Sequence, residues 1–121
     1  MLEAPPIALA SSFRIVLEGC ASSDLDSIKP LEHAARRACA TAGLTPVGEA
    51  RHHYAPHGWT LVLILKESHL AIHTWPEYGA AVVELLSCRP DTPIDALAEI
   101  FKSELNAAGA RVSRDEINVK N

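Results

Sequence analysis

The sequence predicts an α+β domain, a two-layer sandwich in which two helices cover one face of a mainly antiparallel sheet. Three observations carry this prediction. The chain has 121 residues, which is the size of one domain (residues 1–121). Its hydrophobic pattern marks strands and helices in the order β-α-β-β-β-β-α-β. The connections in the middle are as short as those of hairpins, which favours antiparallel strands with helices set to one side.

The first strand and the first helix follow from two different spacings of apolar residues. Residues 1–11 are rich in Pro and Ala and are predicted to be a loose lead-in. From Ser12, "SFRIVLEGC" alternates apolar and polar side chains and is closed by Gly19, which predicts a strand. "LEHAARRACATAGL" is predicted to be a helix that stops at Gly43. Its apolar residues recur at helical spacing: Leu31, Ala34, Ala35, Ala38 and Ala42.

Four strand-length segments occupy the middle of the chain. They are "TPVGEARHHYA", "WTLVLILK", "HLAIHTW" and "AAVVELLSC". Residues 56–58, "PHG", predict a turn between the first two, and "PEYG" interrupts the chain before the last. These breaks predict a run of hairpins.

The clearest helix pattern lies near the end, in "TPIDALAEIFKSELNAAG". Thr92 is the predicted N-cap, Pro93 the first helical residue, and Gly109 the stop. One face of this helix carries the apolar residues Ile94, Leu97, Ala98, Phe101 and Leu105. "ARVSRDEINV" is predicted to be a final strand.

Composition narrows the class of partner. The net charge is −4 with both signs interspersed, which gives no support to a nucleic-acid or membrane partner and suits a cationic small molecule. The three cysteines are widely spaced without a CxxC pair, so neither a disulfide framework nor a zinc ribbon is indicated. The N-terminal segment lacks a basic n-region and is not expected to be a signal peptide, and no apolar run approaches the ~18 residues that span a bilayer. A reducing cytoplasm is the expected compartment.

Ser68 stands between Glu67 and His69, where one apolar strand ends and the next begins. In a tight connection, a serine hydroxyl can attack the preceding carbonyl and move the acyl group from nitrogen to oxygen. Elimination of that ester leaves dehydroalanine, which hydrolyses to a pyruvoyl group, and the chain is cut between Glu67 and Ser68. A histidine such as His73 is the usual proton carrier near neutral pH. In a regular strand, however, the odd separation puts Ser68 and His73 on opposite faces.

Plainer interpretations of the same residues stay open at this point. Ser68 can cap a turn, Cys88 can be a buried core thiol, and Trp75 and Tyr54 can be core aromatics, with Glu77 in a solvated turn. A metal site at His69, His73 and Cys88 is disfavoured. The two histidines would lie about 13 Å apart along an extended strand, and no acidic base of the H-E-x-x-H kind adjoins them.

The segment "ESHLAIHTWPEYGAAVVELLSC" closely resembles the signature of the prokaryotic S-adenosylmethionine decarboxylase proenzymes, the pyruvoyl-dependent enzymes of polyamine and spermidine synthesis. Their pattern has Glu-Ser-His, then His-Thr-Trp/Tyr-Pro-Glu, then a strand ending in Thr-Cys-Gly. The match is ungapped from Glu67 to Cys88. Weaker similarity covers most of the chain, including "EGC" and "EHAARRACATAGLTPVGEARHHYAPHG".

The resemblance implies roles for the reacting residues. Ser68 matches the serine that becomes the pyruvoyl cofactor and carries the Schiff base, with cleavage after Glu67 into residues 1–67 and 68–121. His73 matches the processing histidine, and Cys88 the cysteine that protonates the substrate carbon. No metal is implied.

The resemblance also implies how the substrate is held and how the protein assembles. Trp75 and Tyr54 fall where family aromatics hold the adenine ring, and Glu77 matches the carboxylate near the ribose hydroxyls. The implied partner is a second copy of the chain, a homodimer with each site at the interface and built from both halves.

Two segments depart from the family pattern. Gly-Val-Ser-Gly is replaced by "GWTL", so Thr60 stands where the family has a processing serine, between Trp59 and Leu61. Asp-Val-Phe-Thr-Cys-Gly is replaced by "ELLSCR", which ends in Arg89. A pyruvoyl-dependent ornithine or arginine decarboxylase is therefore an alternative, because those cationic amino acids suit the same chemistry. A third possibility is an uncut pseudoenzyme that binds a nucleoside-like ligand or modulates a paralogous decarboxylase.

Overall fold

The computed structural model describes residues 4–120, which form a six-stranded sheet and three α-helices. The strands are β1 (Ile7–Glu18), β2 (Pro46–His53), β3 (Trp59–Leu65), β4 (His69–Trp75), β5 (Ala80–Ser87) and β6 (Gly109–Val119). The helices are α1 (Ser22–Leu25), α2 (Ile28–Ala42) and α3 (Ile94–Glu104), and a single 3-10 turn, Pro76–Tyr78, lies between β4 and β5. Neighbouring strands are antiparallel in the order β2-β3-β4-β5-β1-β6. The predicted α+β sandwich and its element order are confirmed, with α1 added.

One face of the sheet is buried beneath α2 and α3. Leu61 in β3 and Ile72 in β4 are fully buried, and so is Phe101, which α3 contributes to the same core. This burial follows from the alternation of the strands, because every second side chain points towards the helices. The side chains between them point to the opposite face, where Ile64 is 51% exposed and Trp75 is 40% exposed. That second face is open in one chain.

The predicted lead-in is wrong from Ile7 onwards, because β1 begins there. Ile7 pairs with Val119 and Ala8 with Asn118, so β6 supplies backbone partners that a strand requires and the local composition does not reveal. Residues 4–6 have no regular structure, and the rest of the predicted lead-in lies outside the described residues.

The limits of α3 also differ from the prediction. The helix begins at Ile94 after Pro93, and the Thr92 side chain makes no cap. It ends at Glu104, and Asn106 takes the left-handed conformation (φ 51°), while Gly109 already belongs to β6. The predicted stop of the first helix is confirmed, because Gly43 has a φ of 69°.

No helix within residues 4–120 is both long enough and apolar enough to cross a membrane.

Candidate functional site

The turn of residues 66–68, called here the Ser68 turn, connects β3 to β4 and carries the bond between Glu67 and Ser68. The Leu65 N–H donates to the Ser68 carbonyl at 2.9 Å, which closes the turn. The Lys66 N–H donates to the Thr45 carbonyl at 3.1 Å, which holds the turn against the loop between α2 and β2. Ser68 therefore lies at the boundary of two strands, where the sequence puts it.

Cys88 reaches this turn from the end of β5. Its thiol donates to the Glu67 carbonyl oxygen, with sulfur and oxygen 3.3 Å apart. The register explains the approach, since His69 pairs with Leu86 and so brings the start of β4 beside the end of β5. Ser68 and Cys88 line one cavity of about 200 Å³, called here the Ser68 cavity.

The three cysteines have different environments. Cys88 is exposed, so its interpretation as a core thiol is wrong, whereas Cys20 and Cys39 are buried. Burial raises the pKa of both buried thiols, which keeps them protonated and unreactive.

The Arg89 side chain contacts the end of α2. Its Nη1 donates to the carbonyl of Ala42 at 3.2 Å and to that of Gly43 at 3.0 Å. Both residues lie at the C-terminal end of α2. Arg89 also lines the Ser68 cavity together with Cys88.

A second group of predicted residues meets at the other end of β4. Thr60 and His73 are directly opposite each other in β3 and β4, and Thr60 Oγ1 lies 3.1 Å from His73 Nδ1. The Tyr54 hydroxyl lies 3.0 Å from the same Thr60 oxygen. The threonine therefore offers His73 the hydroxyl contact that a serine would. These residues, together with Trp75 and Glu77, line a cavity of about 370 Å³, called here the His73 cavity.

Aromatic and charged groups are placed side by side in the His73 cavity. Trp75 lies two residues beyond His73 on the same face, with ring centroids 6.5 Å apart. The Glu77 carboxylate, in the 3-10 turn, is 3.0 Å from Nε2 of His57. Rings that offer flat apolar faces beside a carboxylate suit a planar, hydroxylated or cationic ligand.

Trp59 does not fill the space beside Thr60, although it also lines the cavity. Adjacent strand residues point to opposite faces, so its ring lies on the helix side, stacked flat on His53 with 4.1 Å between centroids. His53 in turn is 3.1 Å from Asp26, whose carboxylate also accepts the Gly58 N–H at 2.8 Å. The Gly58 N–H and then the His53 ring hold the pKa of Asp26 below its ordinary value.

Asp26, His53 and His57 are not among the site residues predicted from the sequence. "HHYAPHG" concentrates histidines just before β3, and this clustering is the signal that points to them. The carboxylates that pair with the two histidines, Asp26 with His53 and Glu77 with His57, come from distant segments. Residue spacing alone could not identify these pairs.

The two cavities are separate in one chain. Ser68 precedes β4 and His73 lies five residues further on, which corresponds to roughly 17 Å of extended strand. One chain thus brings Ser68 to Cys88, and Thr60 to His73, Tyr54, Trp75 and Glu77, but keeps the two groups apart. Within residues 4–120, no cluster of three or more His, Cys, Asp or Glu side chains is arranged to hold a metal ion.

Comparisons with known proteins show which family the chain resembles in sequence and in fold. Residues 14–116 match the sequence model of the S-adenosylmethionine decarboxylase family. An S-adenosylmethionine decarboxylase proenzyme of Thermosipho africanus is 39% identical over 89 residues, which cover 70% of this chain and 68% of that protein. The proenzyme of Thermotoga petrophila is 35% identical over 97 residues, covering 80% and 75%. The crystal structure of the adenosylmethionine decarboxylase from Aquifex aeolicus shares the fold, with a TM-score of 0.82, 24% identity and 95% of each chain covered.

Proposed function

Because the chain belongs to the S-adenosylmethionine decarboxylase family, we propose that it is a self-processing, pyruvoyl-dependent decarboxylase of S-adenosylmethionine. The product would be the decarboxylated aminopropyl donor used in spermidine synthesis. The observation that carries the proposal is the hydrogen bond from the Cys88 thiol to the Glu67 carbonyl, at the bond that would be cut. The unpaired cysteines agree with a reducing cytoplasm as its compartment.

Self-cleavage begins at the Glu67 carbonyl carbon. The Ser68 hydroxyl adds to it, the peptide C–N bond breaks, and an ester joins Glu67 to the Ser68 oxygen. Negative charge develops on the carbonyl oxygen during this addition, and a thiol hydrogen bond at that oxygen stabilises the charge. Cys88 is therefore a donor for the first step.

The second step needs a base for the Cα proton of residue 68. Removal of this proton expels the Glu67 carboxylate, and residue 68 becomes dehydroalanine. Water then converts the dehydroalanine to a pyruvoyl group and releases ammonia. We assign the proton transfer to His73, whose Nδ1 is oriented by Thr60.

His73 has to act on a second chain, because it lies in a different cavity from the Ser68 of its own chain. A homodimer with twofold symmetry would form two equivalent sites. Each protomer contributes its Ser68 and Cys88 to one site and its His73 to the other. The open face of the sheet supports this assembly. It carries Val62, Ile64 and Val82, apolar residues that gain from being covered by a second copy.

The His73 cavity would receive the adenosine half of the substrate. Tyr54 and Trp75 offer stacking surfaces for adenine, and Glu77 can accept hydrogen bonds from ribose hydroxyls. The net charge of −4 favours a substrate that carries a sulfonium cation.

The pyruvoyl group, once formed, supplies a carbonyl that condenses with the substrate amine and withdraws electrons from the carboxylate-bearing carbon. The residues around position 68 suit such a group, because the Ser68 turn adjoins a cavity and the Cys88 thiol lies beside it with a proton. In this proposal, Cys88 returns a proton to the substrate carbon after carbon dioxide leaves.

The decisive experiment is the intact mass of the purified protein under denaturing conditions. Fragments of residues 1–67 and a pyruvoyl-blocked 68–121 are expected, and Ser68→Ala should give one uncut chain. Carbon dioxide release from carboxyl-labelled S-adenosylmethionine, ornithine and arginine then identifies the substrate. A persistent uncut wild-type chain would support the pseudoenzyme instead, and release from ornithine or arginine alone would overturn the proposed substrate.

A further inference from the structure

We propose that Arg89 is a positioning residue for self-cleavage, which holds Cys88 at the Glu67 carbonyl by tying its turn to the end of α2. The inference rests on the proposed function for its chemistry, and concerns a residue that differs from the glycine of the family pattern. Arg89 lines the Ser68 cavity together with Glu67 and Cys88, but its Nη1 donates to the carbonyls of Ala42 and Gly43. The positioning effect therefore passes through the backbone that Arg89 shares with Cys88.

The Arg89 guanidinium is matched to its site on α2. The last carbonyls of a helix lack partners inside the helix and carry the negative end of its dipole. The last turn of α2 has no basic residue of its own, and Arg89 supplies the cation with bonds to Ala42 and Gly43. Contact is close enough that a Cβ on Gly43 would lie 2.8 Å from Nη1, so Gly43 makes room for the guanidinium.

The loop of residues 43–45 also holds the Ser68 turn. The Gly43 carbonyl accepts a hydrogen bond from Nη1 of Arg89, and the Thr45 carbonyl accepts one from the Lys66 N–H. Both halves of the thiol–carbonyl contact are therefore anchored to one three-residue platform. Cys88 and Glu67 keep their distance because each is adjacent to an anchored residue.

Hydrogen bonds within the turn after β5 connect Arg89 to the end of the strand, so the position of Arg89 constrains that of Cys88. The Arg89 N–H donates to Ser87 Oγ at 3.2 Å, and the Thr92 hydroxyl donates to the Arg89 carbonyl at 2.8 Å. Ser87 Oγ and Thr92 Oγ1 are themselves 2.7 Å apart. Cys88 thus lies between a buried strand end and an arginine that is fixed at both its backbone and its side chain.

The test compares Arg89→Met, which keeps an unbranched apolar stem and removes the guanidinium with its donors, with Arg89→Lys. Cleavage is followed by intact mass after a fresh synthesis or refolding. Since misplacement of a reacting group by about 1 Å can cost ~100-fold, Arg89→Met is expected to slow cleavage about tenfold or more. Arg89→Lys retains one cationic donor and should recover part of the rate. Arg37→Met, which removes a surface arginine paired with Glu104, is the matched control and should cleave at the wild-type rate.

A further readout, the labelling rate of Cys88, separates positioning from a general loss of stability. In the uncut Ser68→Ala background, a chromogenic aromatic disulfide reports Cys88 alone, because Cys20 and Cys39 are buried. Arg89→Met should change the labelling rate of Cys88 several-fold at a temperature well below its unfolding midpoint. Unchanged cleavage and unchanged labelling would overturn the role of Arg89. Failure of the wild type to cleave would overturn the proposed function, while the labelling comparison would still decide whether Arg89 positions Cys88.

Discussion

Thr60 Oγ1 lies 3.1 Å from Nδ1 of His73, across the neighbouring strands β3 and β4. The register sets the two residues directly opposite each other, so threonine makes the hydroxyl contact here that was predicted of a serine at this position. The added methyl group of threonine leaves this contact intact. A threonine at position 60 is therefore compatible with the proposed self-cleavage.

Thr60→Val is expected to slow self-cleavage by at least roughly tenfold, because valine keeps the shape of threonine but cannot orient the His73 ring, and proton transfer by an oriented group contributes 10²–10⁴-fold. The half-time of chain cleavage by mass spectrometry measures the effect. Thr60→Ser is the control and should match the wild type. Equal cleavage rates for Thr60→Val and the wild type would show that the Thr60 hydroxyl has no role in self-cleavage.

The composite site predicts complementation between two inactive chains. Ser68→Ala and His73→Ala should each remain uncut as homodimers. In a mixed dimer, the Ser68→Ala chain supplies His73 to the intact Ser68 of its partner, so a fraction of the His73→Ala chains should be cut. Tags of different mass identify the chain, and native mass spectrometry verifies the mixed dimer. Mixed dimers without cleavage would contradict a site shared between protomers.

Glu77→Gln tests recognition of the nucleoside half. Since hydrogen bonds to a charged group contribute about 1.5–3 kcal/mol, the loss of the carboxylate should raise KM for S-adenosylmethionine roughly tenfold with little change in kcat. Cleavage of the chain should proceed as in the wild type. An analogue without ribose hydroxyls gives the control, because its KM should respond much less. A larger effect on kcat than on KM would place Glu77 at the reacting carbon.

The hydrogen bonds of Asp26 predict a dependence of stability on pH. The pKa of Asp26 is lower in the folded chain than its ordinary 3.8, so its contribution is complete above that value and is lost as the pH falls through the folded pKa. Asp26→Ala should therefore lower the free energy of unfolding at neutral pH, and the difference should shrink in strong acid. Urea unfolding of uncut Ser68→Ala chains, with and without Asp26→Ala, measures this. A difference independent of pH would show that packing, not charge, is responsible.

The sequence by itself determined most of the fold, because strands and helices leave local patterns. The alternation ending at Gly19, the left-handed stop at Gly43 and the boundary at Ser68 could all be predicted from neighbouring residues. The segment from Glu67 to Cys88 also indicated the family, since its rare residues occur at fixed spacings. Local patterns could not predict the start of β1, which depends on partners in β6 more than a hundred residues away.

Only the tertiary structure decided which of the candidate residues meet. His73 is five residues from Ser68 in the chain, yet an extended strand keeps the two apart. Cys88 is much further along the chain, yet the pairing of β4 with β5 brings it to the Glu67 carbonyl. Arg89 finds its partners at the end of α2 for the same reason. Contacts of this kind depend on strand register and on the packing of helices against the sheet, which the spacing of residues along the chain does not contain.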